Sequence, residues 1–205
     1  MAFISSGTTI IDNGAFQPSL GSLVHIKTLT ASSSATLSFV HGTDGVVLDS
    51  SYPIYRFEYI NCHPATDNVA FQFNMSVDGG SNYNVVKTSN YFYSYQDEVG
   101  SATGLVYFAS GSLAQSTNFQ PLSFSLGSGN DESLSGELNL FNPSSTTFVK
   151  HFTAVNNVYH KSDFTQNRYV AGYGNNTSAV NAIRFQMSSG NIDAGKIKLY
   201  GIKDS

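Results

Sequence analysis

The chain has 205 residues, with 14 acidic against 10 basic side chains, and so holds a net charge of −4. That balance excludes the Lys/Arg-rich face that a nucleic acid demands, and no apolar run approaches the roughly 18 residues that cross a membrane. Charged residues make up only 12% of the chain where ~25% is usual, while Phe and Tyr supply 13% and Trp is absent.

That mixture, with Ser, Thr, Asn and Gly between the aromatics, suits short pleated strands whose flat surfaces meet other protein. It fits a subunit of an assembly better than a free enzyme, and the abundance of Tyr with the scarcity of charge predicts a homo-oligomer, a trimer first. A domain of this length removes ~70% of its extended-chain surface from water and needs no disulfide or metal staple. The single cysteine, Cys62, ends an apolar run and reads as a small buried hydrophobe rather than a nucleophile.

Met1–Ile11 has no basic n-region, so no secretory signal is expected and the protein is expected to be made in a reducing cytoplasm. Residues 1–21 are polar and weakly patterned; they predict an arm or a first edge strand that orders against a neighbour. Residues 22–205 predict one domain. Strands are expected over Leu23–Leu29 and Thr36–His41, with a turn at Thr43-Asp44-Gly45. Tyr55, Phe57 and Tyr59 then alternate with Arg56 and Glu58, and Val69–Val77 is apolar at every odd position.

Asp78-Gly79-Gly80-Ser81 predicts a hairpin turn. The surrounding Ser76–Tyr83 resembles the Asp-box of sialidases and related repeat proteins, with Tyr83 where that pattern has Trp. The motif occurs once, so the resemblance implies a turn device and no propeller. Further strands are expected over Tyr83–Thr88, Leu105–Phe108 and Leu122–Leu126, and a loop over Gly127–Ser133. Leu134, Gly136, Leu138 and Leu140 form one face; Phe148, Lys150, Phe152 and Ala154 form another, after a turn at Asn142-Pro143-Ser144-Ser145. Asn156–Asp163 reads as an exposed loop. Strands at Arg168–Gly172, Ala182–Met187 and Lys196–Lys203 close the chain. No helical stripe competes, so the expectation is an all-β, antiparallel, jelly-roll-like β-sandwich with Phe57, Phe71, Phe73, Leu138 and Leu199 in its core.

Candidate chemistry is sparse. His25, His41, His63, His151 and His160 show no metal-ligand spacing, and there is no cysteine pair. Ser112 and Ser128 lack a strand-to-helix elbow. Asp97-Glu98 and Asp131-Glu132 fall beside Gly/Ser/Asn-rich segments, where a solvated loop is the default. No catalytic residue, metal or cofactor is therefore assigned. The aromatic stretch Asn90–Asp97 leaves three readings open: subunit interface, plain core, or a glycan platform. The interface reading leads, with Tyr91, Tyr93 and Tyr95 as its candidates; the lack of Trp weakens the glycan one.

Several stretches carry a family likeness in order along residues 22–203. They are Val47-Leu48-Asp49, Pro53-Ile54-Tyr55-Arg56-Phe57-Glu58-Tyr59-Ile60-Asn61-Cys62-His63-Pro64, Asp78-Gly79-Gly80-Ser81, Leu140–Phe152, Ser188–Ile192 and Gly195–Ile202. Together they resemble a β-rich virion structural protein family of tailed bacteriophages, marine ones especially. The resemblance implies a virion location and a non-enzymatic role, first as a capsid decoration (cement) subunit. Its partners would be copies of itself and other virion proteins, the major capsid protein foremost. A tail or fibre component that binds host-surface carbohydrate is the alternative. The ending is also similar to trimeric jelly-roll heads, by analogy of fold.

Overall fold

The computed structural model describes residues 22–204, together with the backbone of three short strands, Phe3–Ser5 (β1), Thr8–Asp12 (β2) and Ala15–Phe16 (β3). These three pair in order as a small antiparallel sheet of their own. The rest of the expected 1–21 arm lies outside the described residues.

Twelve strands follow: β4 (Leu23–Thr30), β5 (Leu37–Val40), β6 (Ile54–Pro64), β7 (Phe71–Ser76), β8 (Lys87–Asp97), β9 (Thr103–Tyr107), β10 (Gln120–Pro121), β11 (Leu134–Phe141), β12 (Lys150–His160), β13 (Phe164–Gly174), β14 (Ala182–Met187) and β15 (Ile192–Ile202). Eight of them join in the order β4-β15-β6-β11-β12-β13-β8-β9, and four in the order β10-β7-β14-β5. The two antiparallel sheets pack face to face as the expected β-sandwich.

Alternation explains which face each strand buries. Tyr55, Phe57 and Tyr59 of β6 point inward, as do Leu134, Leu138 and Leu140 of β11 and Ile197 and Leu199 of β15. From the smaller sheet Phe39, Phe71, Phe73, Met75 and Phe185 meet them, all fully buried. Phe185 is the hub. Its ring centroid lies 5.5 Å from Phe57, 5.4 Å from Tyr59, 5.8 Å from Phe71 and 6.2 Å from Phe73. Such edge-to-face and offset pairs add to the area term, so this cluster couples the two sheets.

The structure corrects several boundaries. Phe148 is 69% exposed; β12 starts two residues later, so the inward face begins with Lys150, not Phe148. Asn156–Asp163 is not a loop. β12 runs on to His160, and a tight turn that closes with Asp163 N–H donating to His160 O leads into β13. Asn156 hid this continuation because it faces inward, where its Nδ2 donates to Leu122 O at 3.3 Å. Leu122–Leu126 makes no strand, although Leu122 and Leu126 are buried, and Tyr83–Thr88 is strand only from Lys87.

Asp78-Gly79-Gly80-Ser81 is a turn but not a hairpin, since β7 and β8 belong to different sheets. Gly79 and Gly80 take positive φ there. Asp78 organises the corner: its carboxylate accepts from Ser76 Oγ at 2.6 Å and from the Asn82 N–H at 2.9 Å. Those bonds pull its carboxyl down to about 2.

Candidate functional site

Tyr91, Tyr93 and Tyr95 all sit on the inward side of β8, and Tyr91 is fully buried there. The outward side belongs to Asn90, Phe92, Ser94 and Gln96. The aromatic stretch therefore splits into two surfaces with different properties.

On the outward side, register builds one row across four strands. Tyr107 of β9 faces Phe92 of β8, Phe92 faces Tyr169 of β13, and Tyr169 faces Val155 of β12. Phe92 and Tyr169 stack at 4.9 Å with planes 9° apart. Tyr107 is 67% exposed and its neighbour Leu105 74%. Beyond Val155 the same row turns charged, through Glu137, Glu58 and Lys198, and Glu137 pairs with Arg56 at 3.3 Å. The apolar half of the row lies at the β9 end. β9 is an edge strand, and its sequence Thr103-Gly104-Leu105-Val106-Tyr107 carries none of the charges or prolines that usually blunt an edge.

On the inward side, the larger sheet contributes Arg168 of β13, 2% exposed. Its Nη1 donates to Tyr91 Oη at 2.6 Å, and Nη2 donates to Phe124 O at 2.8 Å and to Gln166 Oε1. The guanidinium lies 5.2 Å from the Tyr93 ring centroid and 5.8 Å from that of Tyr91. Among the described residues no carboxylate comes within ion-pair distance of it. The aromatic faces and three acceptors take the place of a counter-ion. Burial pushes the Tyr91 hydroxyl up to about 12, against the pull of Arg168. Burial and the same guanidinium lower His160 from its ordinary value.

Beside this network opens a recess of about 340 Å³, lined by Tyr93, Tyr95, Val106, His160, Phe164 and Gln166. Tyr95 is seated by Gly104, its cross-strand partner: a Cβ there would come within 2.7 Å of the Tyr95 ring.

No family model, no curated protein and no solved structure matches this chain.

The other sequence candidates take structural places. Asp97 accepts from Ser101 Oγ and the Ala102 N–H, Glu98 from Tyr159 Oη, and Glu132 from the Gly129 N–H. His63 lies 3.6 Å from Asp193, and His41 Nδ1 accepts the Leu48 N–H. Among the described residues no three His, Cys, Asp or Glu side chains gather closely enough to hold a metal.

Cys62 is buried, and burial pushes its thiol up to about 12. The thiolate is the reactive species. Native protein should therefore resist iodoacetamide at pH 8 and alkylate only in denaturant; rapid labelling of the folded chain would contradict its buried placement.

Sequence reasoning missed Arg168, Gln166 and Phe92. The strand expected over Arg168–Gly172 carries no assignment of faces; in the structure Arg168 points inward and Tyr169 outward. The signal available was the apolar Val170 and Phe164, which share the parity of Arg168 and Gln166.

Proposed function

We propose that the chain is a non-enzymatic structural subunit of a tailed-phage particle, working as a capsid decoration protein that assembles as a homotrimer and docks on the major capsid protein. The uncharged row Tyr107–Phe92–Tyr169–Val155, bordered by the unguarded edge β9, carries this reading. A protein that stayed alone in water would be expected to interrupt such a surface with charge. The virion location in this reading rests on the sequence resemblance along residues 22–203 alone. Scarce charge along the whole chain fits a protein held on a lattice by apolar and polar contact.

The test is reconstitution. Purified protein should rebind particles stripped of it and restore their resistance to heat. The double variant Leu105→Lys/Tyr107→Lys should bind at least about tenfold more weakly, since an exposed apolar pair loses little in the free subunit but must desolvate two ammonium groups on docking. Unaltered rebinding by that variant would remove the row from the interface. Absence of rebinding by the wild-type chain would overturn the decoration role, and a strict monomer by light scattering at tens of micromolar would overturn the trimer.

A further inference from the structure

Beyond that docking role, and on the opposite face of β8, the recess has the make-up of a ligand site. Gln166 is only 6% exposed and lines it. Arginine can only donate hydrogen bonds, so the oxygen of the Gln166 amide must face Arg168. The amide NH₂ is thereby turned away from the guanidinium, and it donates to no group of the described chain. A buried cation without a counter-ion polarises that amide and strengthens it as a donor.

His160 adds to the same wall. Its Nδ1 accepts the Ser162 N–H at 3.1 Å, so in the neutral ring the proton sits on Nε2, a second donor. Among the described residues no acidic side chain lines the recess. The other walls are rings: Tyr95 stands 6.1 Å from Tyr93 and 5.7 Å from Phe164, centroid to centroid. Gly104 leaves the space beside β9 that the Tyr95 ring occupies.

We infer that this recess binds one pyranose residue bearing an sp² oxygen acceptor, an acetamido or a carboxylate group. The C–H face of the sugar lies on Tyr93 and Tyr95, and the acceptor oxygen takes the Gln166 amide proton. A volume of about 340 Å³ suits one such ring rather than a longer glycan or a nucleotide. Its open mouth lets the remainder of an oligosaccharide continue into solvent.

Saturation-transfer NMR with N-acetylglucosamine, glucuronate and glucose tests this directly. One or both of the first two should bind at least about tenfold more tightly than glucose, the worth of the acceptor hydrogen bond. Gln166→Glu keeps the shape, pairs with Arg168 and removes the donor, so it should abolish that preference. Tyr95→Ala should weaken all sugar binding. Gly104→Ala, whose added methyl meets the Tyr95 ring first, should displace that ring and weaken binding with an unchanged circular dichroism spectrum. No saturation by any of the three sugars, equal binding of glucose, or a preference that survives Gln166→Glu would each overturn the assignment.

Discussion

Replacing Phe185 by alanine should destabilise the fold by ~3–5 kcal/mol, the cost of removing a fully buried ring whose surroundings cannot collapse. Collapse is blocked on both sides. Phe57 and Tyr59 are fixed in the larger sheet, Phe71 and Phe73 in the smaller, and β14 is paired on both edges, to β5 and β7. A domain is stable by only ~5–15 kcal/mol, so the loss is a large share. Urea unfolding followed by near-ultraviolet circular dichroism measures it. Phe148→Ala, made at an exposed aromatic of the same size, should change stability by no more than ~0.5 kcal/mol. A similar loss for both would mean that ring removal acts on the unfolded chain rather than on this cluster.

The contrast between those two phenylalanines marks what was legible in the sequence. Where every second residue is apolar, as in Phe71-Gln72-Phe73-Asn74-Met75, alternation gave the strand, its face and its core members correctly. It failed wherever a polar side chain faces inward. β12 continues through Asn156, β13 carries Gln166 and Arg168 inside, and β8 begins at the buried Lys87. Asn156 and Arg168 are satisfied by partners from distant parts of the chain, Leu122 O and Phe124 O. No local window contains those partners.

Turn chemistry behaved the same way. The Asp78 corner is local and its acceptor role could be read from Ser76–Asn82. Which sheet the next strand would join depended on β13, far along the chain, and could not. The aromatic stretch Asn90–Asp97 hid its two surfaces for a related reason. Rings at Tyr91, Phe92, Tyr93 and Tyr95 occupy both parities, so composition marked the strand as unusual without saying which face meets Arg168 and which meets Tyr169.

Between pH 7 and about 9 the protein should become more stable, against the usual decline on the alkaline side. Lys87 is fully buried; its Nζ donates to Asn74 Oδ1 at 2.5 Å and to Val85 O at 2.8 Å, with no carboxylate partner among the described residues. Burial lowers it from 10.5 to about 7, and the two acceptors restrain that fall without cancelling it. Lys150 sits in the same cross-strand row, on the far side of Gly174, and burial lowers it too. The unfolded chain therefore holds a proton in this window that the folded chain has released, and unfolding free energy rises with pH. One such proton gives a slope of ~1.4 kcal/mol per pH unit. From about 9 the Cys62 thiol, pushed up by burial to about 12, offsets this gain, and above about 10 the raised hydroxyls of Tyr55, Tyr59 and Tyr91 reverse the sign, because the unfolded chain loses those protons first. Lys87→Met isolates the lysine. Asn74 Oδ1 keeps the Met75 N–H at 2.8 Å, so the variant should be more stable than wild type at pH 7, by ~1–4 kcal/mol. The two stability curves should converge as pH approaches 10. Parallel curves across that range would show that Lys87 stays charged in the folded protein and that its carbonyl partners, rather than deprotonation, make its burial tolerable.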